Sequence, residues 1–248
     1  MSGSAARSPD PPELVTFDVW RISRAAVPRA LLRVATGRRQ LRRLPGVRFA
    51  KLLGTGPGTS FGAGGADVRR WAALVAWDRA QDADRADQQP ALRGWNAMAT
   101  ERLRLRLRPL SSRGSWSGSE PFGSPAGAAG ARRQPWQGPV VAVTRARVRP
   151  GRWREFAAAV PAVTTDLWSG GPRPLLAVAV GEAPVLLQGT VSIWASAEEL
   201  VEFAHRRSAH RSVISATRDR AWYGEELFAR FALDDVEGTF DGQPVRRP

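Results

Sequence analysis

Residues Arg102–Arg108 read RLRLRLR, a strict alternation with period two. Only a β-strand sends successive side chains to opposite faces, so the run predicts a strand with one leucine face and one arginine face. Any sheet that accepts it must present two unlike surfaces.

The run closes an order of elements that the chain spells twice. In the first half, Leu14–Trp20 is a strand-like run and Arg24–Leu44 has helical spacing, with Ala30, Leu31, Val34, Ala35 and Leu41 apolar. Pro45-Gly46 ends that helix. Val47–Leu53 and Trp71–Trp77 follow as strands around a glycine-rich connection, then a helix over Pro90–Glu101 and the RLRLRLR strand. The second half repeats the order. Val140–Val148 is a strand, Arg152–Trp168 a helix, and Leu175–Val180 and Leu186–Trp194 are strands around a Gly181–Pro184 turn. A helix capped by Ser196 runs to about Arg220, with Glu198 and Glu199 in its first turn, and Leu227–Leu233 is the last strand.

Each half is thus β-α-β-β-α-β. The expected fold is α+β, two tandem ferredoxin-like repeats packed sheet to sheet as a fused dimeric α/β barrel. The expected boundaries are a tail without fixed structure over residues 1–12, a first repeat over 13–110, a Gly/Ser/Pro-rich linker over 111–138, a second repeat over 139–240 and a short tail over 241–248. Trp116, Phe122 and Trp136 lie within the linker, and a free linker gains nothing from large aromatics, so parts of it are expected to pack down.

Charge is divided unequally between the halves. The chain carries 37 basic and 23 acidic side chains, a formal net charge of +14, and all but one of the cations (Lys51) are arginine. Residues 1–137 hold 23 basic and 10 acidic groups, and residues 138–248 hold 14 and 13. Between Arg21 and Lys51 there are ten cations and no carboxylate. That patch reads as a solvated helix face, a surface for acidic lipid, or a dock for an acidic protein. Nucleic acid is not an expected partner, because the aromatics follow core spacing and form no stacking platform among the cations.

The absence of cysteine excludes disulfides, thiolate nucleophiles and cysteine-based metal sites. No apolar run approaches the ~18–20 residues of a membrane-spanning helix. The first dozen residues lack an apolar signal segment, so the expected location is cytoplasmic, with peripheral attachment to a membrane as an extension of it. Gly54-Thr55-Gly56-Pro57-Gly58 resembles a dinucleotide loop but leads to a strand instead of opening a helix, so the phosphate reading fails. It reads instead as a flexible β-β loop or a lid over a pocket.

Only two histidines exist, His205 and His210, five apart on one predicted helix and so ~140° apart around its axis. They cannot jointly bind a metal. His210 shares its face with Phe203, Val213 and Ile214, whereas His205 lies with Glu198, Glu202 and Ser208. A histidine on an apolar face is either a hydrogen-bonded core residue or an axial haem ligand, for which that setting is required. Of the two, His210 is the better candidate. Arg104 and Arg106 of the alternating strand either face solvent or, if their side lines the barrel, pair with carboxylates such as haem propionates.

Three segments carry a resemblance to a known family. They are Phe49–Gly56 with Phe61 beyond it, Gly138–Ala146, and the run Phe203…His210…Ile214…Arg218…Trp222…Glu225–Phe231. In order and spacing they resemble the bacterial spheroidene monooxygenase family across most of residues 15–240. The resemblance implies a haem-dependent monooxygenase that uses O₂ and ferredoxin-supplied electrons to place a keto group on a long apolar, carotenoid-like substrate. It implies His210 as axial ligand of the haem iron, with residues 139–240 as the haem-binding repeat. Arg145 becomes a polar residue near the cofactor, and Lys51, Gly54, Thr55 and Gly56 line the substrate mouth. The alternatives are a cofactor-free, antibiotic-biosynthesis-type monooxygenase of the same barrel class and a non-enzymatic barrel that binds haem or an apolar ligand.

Overall fold

In strand β1 (Leu14–Ile22), Val15, Phe17 and Val19 belong to one buried cluster while Leu14, Trp20 and Ile22 belong to another. The same two-sidedness runs through every long strand of the computed structural model, which describes residues 10–57, 62–63, 65–123, 136–152, 171–182, 186–206 and 223–245, with Glu155, Ala158 and Trp168. The other long strands are β2 (Val47–Pro57), β3 (Arg70–Trp77), β4 (Ala99–Gly114), β5 (Val140–Val148), β6 (Leu176–Gly181), β7 (Gly189–Trp194) and β8 (Tyr223–Phe240). All their pairings are antiparallel, in the order β8-β4-β1-β3-β2-β6-β7-β5, and β5 pairs back to β8. The eight strands therefore form a closed barrel, which leaves no long edge exposed.

Both halves use one permutation of strands: β4-β1-β3-β2 in the first and β8-β5-β7-β6 in the second. Two seams join them. One is β4 with β8, and the other is Gly54–Pro57 of β2 with Val178–Gly181 of β6. Gly54–Pro57 is thus a paired strand and not a loop, and Gly58 lies outside the described residues. Thr55 is fully buried there, and its hydroxyl donates to the Arg70 carbonyl at 2.8 Å. Glycine content conceals a strand from composition because the edge-to-edge pairing uses only backbone groups.

An eight-stranded barrel has an interior just wide enough for side chains to fill it. Here the filling includes Phe17, Leu74, Leu103, Leu105, Leu107, Val143, Val191 and Phe231, all essentially buried. Each such leucine or phenylalanine contributes about 1.5–3 kcal/mol relative to exposure. Helices cover the outside. On the first half lie α1 (Val27–Arg42), α2 (Ala80–Ala86) and α3 (Pro90–Asn96), over Trp20, Trp71 and Trp77, with α3 contributing Trp95. On the second half lies α4 (Ala197–Arg206), whose Phe203 ring meets Trp194 at 5.1 Å between centroids. The Ser196 hydroxyl caps α4 by accepting the Glu199 N–H at 3.3 Å. Among the described residues no helix is long and apolar enough to cross a membrane.

The alternating strand resolves the arginine question in a third way. Its leucines fill the barrel, and its arginines lie on the outer face, where α2 and the residue after it supply carboxylates. Arg104 is buried and donates to Asp18 through Nε at 2.8 Å and Nη2 at 3.1 Å. It also reaches Asp87 at 2.8 and 3.0 Å, and Arg102 engages the same two carboxylates. Burial lowers the Arg104 pKa, but Asp18 and then Asp87 more than reverse this and raise it overall. Arg106 pairs with Asp84 at 2.6 Å. Arg104 is thus compensated inside the fold, whereas Arg106 and Asp84 pair at the solvent-facing surface.

Three boundaries also differ from the sequence expectation. Pro90–Glu101 is not one helix: α3 stops at Asn96 and β4 begins at Ala99, while α2 precedes it. β4 runs to Gly114, into the expected linker, and Trp116 and Phe122 beyond it are buried in the barrel cluster. At the C-terminus, Asp241 pairs with Arg21 and Arg70, and Gln243–Pro244 folds back on Thr239–Phe240.

Candidate active site at the barrel mouth

Trp116 lies just beyond the end of β4, where Gly114 takes φ +88° and turns the chain over the barrel opening. Its indole N–H donates to Glu182, which follows β6. Glu182 Oε1 also receives Lys51 Nζ from β2 at 3.3 Å and Arg145 Nη2 from β5 at 3.4 Å. One carboxylate thus gathers three donors from three parts of the barrel wall.

A second carboxylate completes the cluster. Glu225, at the start of β8, pairs with Arg145 and accepts the Gly118 N–H at 2.7 Å and the Ser115 hydroxyl at 3.2 Å. Burial pushes its pKa up, but the Gly118 N–H, Arg145 and the Ser117 N–H outweigh this and bring it down to about 2. The carboxylate is therefore ionised at every ordinary pH.

Lys51 is held tightly for a lysine. Its ammonium meets the Ser117 hydroxyl at 2.5 Å and lies over the rings of Phe49 and Trp116 at 5.4 and 5.7 Å. Burial lowers its pKa, Glu182 partly restores it, and Arg145 and Arg42 lower it further. A desolvated ammonium of this kind is a better proton donor than a free lysine. Behind these groups is a cavity of about 170 Å³, lined by Leu53, Trp116, Arg145, Arg147, Val180, Gly181, Glu182 and Gln188. It offers an apolar wall and convergent polar groups, the combination that orients a small part of a larger ligand.

Lys51 and Arg145, expected separately from sequence, share Glu182 and stand together at this mouth. Gly54, Thr55 and Gly56 sit beside it in the sheet, since Gly54 pairs with the cavity-lining Gly181, but Leu53 is the β2 residue that reaches the cavity. His205 falls on α4, and His210 lies outside the described residues. The chain is described again from Tyr223, two residues before Glu225. The sequence reading assigns no site role to Trp116, expected only to pack down, to Glu182, or to Glu225, which enters only as part of the family-like run. An aromatic in a Gly/Ser-rich stretch was the only signal for the first, and the other two are single carboxylates in a turn and at a strand start.

The haem implied by the resemblance can be tested against this geometry. The mouth does not fit it: the cavity is smaller than the ~300–1,000 Å³ of ordinary cofactor pockets. Its Lys51 and Arg145 are already neutralised by Glu182 and Glu225, which would repel propionates. Beneath α4, the helix that precedes His210, Val140, Ala142, Ala177 and Trp194 pack with Phe203 of the helix itself in a buried apolar cluster. Arg145 points into the barrel and belongs with Lys51 and not with that cluster.

No family model matches the chain. Among curated proteins, spheroidene monooxygenase of Rhodobacter capsulatus is 35% identical over 221 residues, covering 88% of this chain and 89% of that protein. Spheroidene monooxygenase of Rubrivivax gelatinosus is 36% identical over 201 residues, covering 80% of this chain and 73% of that protein. Among solved structures, an aldoxime dehydratase co-crystallised with butyraldoxime superposes with a TM-score of 0.55, covering 92% of this chain and 82% of that one at 10% identity. That likeness concerns the fold alone.

Proposed function

The chain belongs to the spheroidene monooxygenase family and is a monooxygenase, and from that premise we propose that it places a keto group on a long, carotenoid-like polyene. The observation that carries this reading is the mouth: an apolar barrel wall at Leu53, Val180 and Trp116 ends in one ring of fixed polar groups. An apolar chain packs on the first part, and a newly polar carbon is met by the second. Lys51 Nζ is the donor for the oxygen of the alcohol or ketone, held in place by Glu182 and the Trp116 and Phe49 rings. Arg145 and Glu225 fix Glu182 and the 114–118 turn around it.

Converting a methylene to a ketone takes two hydroxylations of the same carbon. Each consumes one O₂, two electrons and two protons and releases one water; the resulting gem-diol then loses a further water. A haem held by His210 would supply the activation of O₂. The likeness of the run from Phe203 to Phe231 to the family supports that assignment, and the electrons come from an acidic ferredoxin-type carrier steered by the arginine-rich first half. The repeated strand permutation supports two fused ferredoxin-like repeats. The protein works in the cytoplasm, at the periphery of a membrane that stores such a substrate.

The test is expression in a host that accumulates an acyclic polyene and contains a ferredoxin and its reductase. Keto-polyene appears with the wild-type chain and not with His210→Ala, whose purified form also lacks a haem absorption band. Unchanged polyene with well-folded wild-type protein rejects the substrate reading. A wild-type protein that is active without any haem band rejects the cofactor assignment in favour of cofactor-free chemistry.

A further inference from the structure

Helix α1 packs on the barrel through Ala30 and Leu41, with Val27 and Val34 beside them. Its opposite face is unusual for a helix on a monomeric surface. Pro28, Leu31, Leu32 and Ala35 follow the i, i+3, i+4, i+7 spacing of an apolar stripe, yet all four are exposed, Leu31 by 46% and Leu32 by 65%. One to two turns further along the same face stand Arg38, Arg39, Arg42 and Arg43, also exposed. Among the described residues, Arg39, Arg42 and Arg43 make no ion pair. The Arg38 guanidinium donates to the carbonyl of Glu182, the carboxylate-bearing residue at the mouth.

We propose that this face of α1 docks the protein on an anionic lipid bilayer, with the leucine stripe entering the headgroup boundary and the arginines meeting lipid phosphates beside the barrel mouth. The inference rests in part on the polyene reading above, because such a substrate dissolves in a bilayer and must reach the mouth from it. The pattern itself, adjacent exposed leucines continued by unpaired cations with no carboxylate on the helix, is that of an interfacial amphipathic helix. A second copy of the chain is a poor occupant, since it would bring two arginine clusters together. An acidic protein would satisfy the arginines but not the leucine stripe.

Sedimentation of the full chain with vesicles tests this. The wild type binds vesicles of phosphatidylglycerol in phosphatidylcholine, does not bind phosphatidylcholine alone, and releases as salt is raised. Replacing Arg39, Arg42 and Arg43 by Gln lowers the partition about a hundredfold, at about fivefold for each charge. Leu31→Ser with Leu32→Ser lowers it about a hundredfold or more. These positions are exposed, so thermal melts match the wild type. No binding by the wild type, or equal binding by both variants, overturns the proposal. So does a variant that keeps its vesicle binding while losing affinity for an acidic ferredoxin. Turnover of detergent-dispersed polyene separates the two readings, because the Leu31→Ser/Leu32→Ser variant keeps the wild-type rate there. A wild type that binds vesicles and oxygenates no polyene upholds the docking face and removes the substrate.

Discussion

Replacing Asp18 by Asn removes one charge from the best-buried ionic network in the protein without changing side-chain shape. Asp18 is fully buried, and its two oxygens accept four bonds: Arg104 Nε at 2.8 Å and Nη2 at 3.1 Å, and Arg102 Nη2 at 2.9 Å and Nε at 3.2 Å. An asparagine amide supplies one accepting oxygen and turns an NH₂ group toward a guanidinium that can only donate. Breaking a buried pair costs about 3–5 kcal/mol because a charge is left behind. Asp87 still neutralises Arg104 at 2.8 Å, so the lower end applies, about 3 kcal/mol. With a urea slope of about 2–3 kcal/mol/M, the unfolding midpoint falls by about 1–1.5 M. The double variant Asp18→Leu/Arg104→Met, which removes both partners, loses less than the single one. A midpoint within about 0.3 M of wild type for Asp18→Asn, or a double variant less stable than the single, would refute the view that Asp18 is needed to compensate the buried Arg104.

Other consequences concern the mouth. Glu225 has a native pKa of about 2 against an ordinary 4.5. Its contribution to stability is therefore complete above about pH 4.5 and is lost as the pH falls toward 2. Glu225→Gln flattens the acid limb of a melting-temperature profile; an unchanged limb contradicts the pairing with Arg145 and Gly118. Gly114→Ala places a Cβ at 2.1 Å from the Glu226 carbonyl at a φ of +88°, so it destabilises by about 2 kcal/mol or more and displaces Trp116, read as a red shift of tryptophan emission. Lys51→Met keeps the apolar stem and removes the ammonium. The fold is retained, and kcat/KM for the polyene falls about 10–100-fold, the worth of a hydrogen bond from a charged donor; an unchanged value removes Lys51 from the reaction.

Where side-chain periodicity carried the information, the sequence was readable. Val140–Val148 is a strand with the same ends in both readings, and Ser196 caps α4 as its spacing suggests. Legibility failed where backbone geometry or long-range pairing decides. Gly54–Pro57 looks like a loop because glycines carry no pattern, yet β6 supplies the partner strand from 120 residues away. Arg104 looks solvated because nothing nearby in sequence announces that Asp18 and Asp87 converge on it. The site shows the same division. Lys51 and Arg145 were reached through residues that resemble a family, but Glu182, which joins them, sits in a turn with no motif.

The most direct test of the account is turnover by purified protein with ferredoxin, reductase and an acyclic polyene under isotopically labelled dioxygen, followed by mass spectrometry of the promptly extracted product. The account predicts a ketone whose oxygen carries the label from dioxygen. A product labelled only from water, or a polyene recovered unchanged from folded, haem-loaded protein, would contradict it.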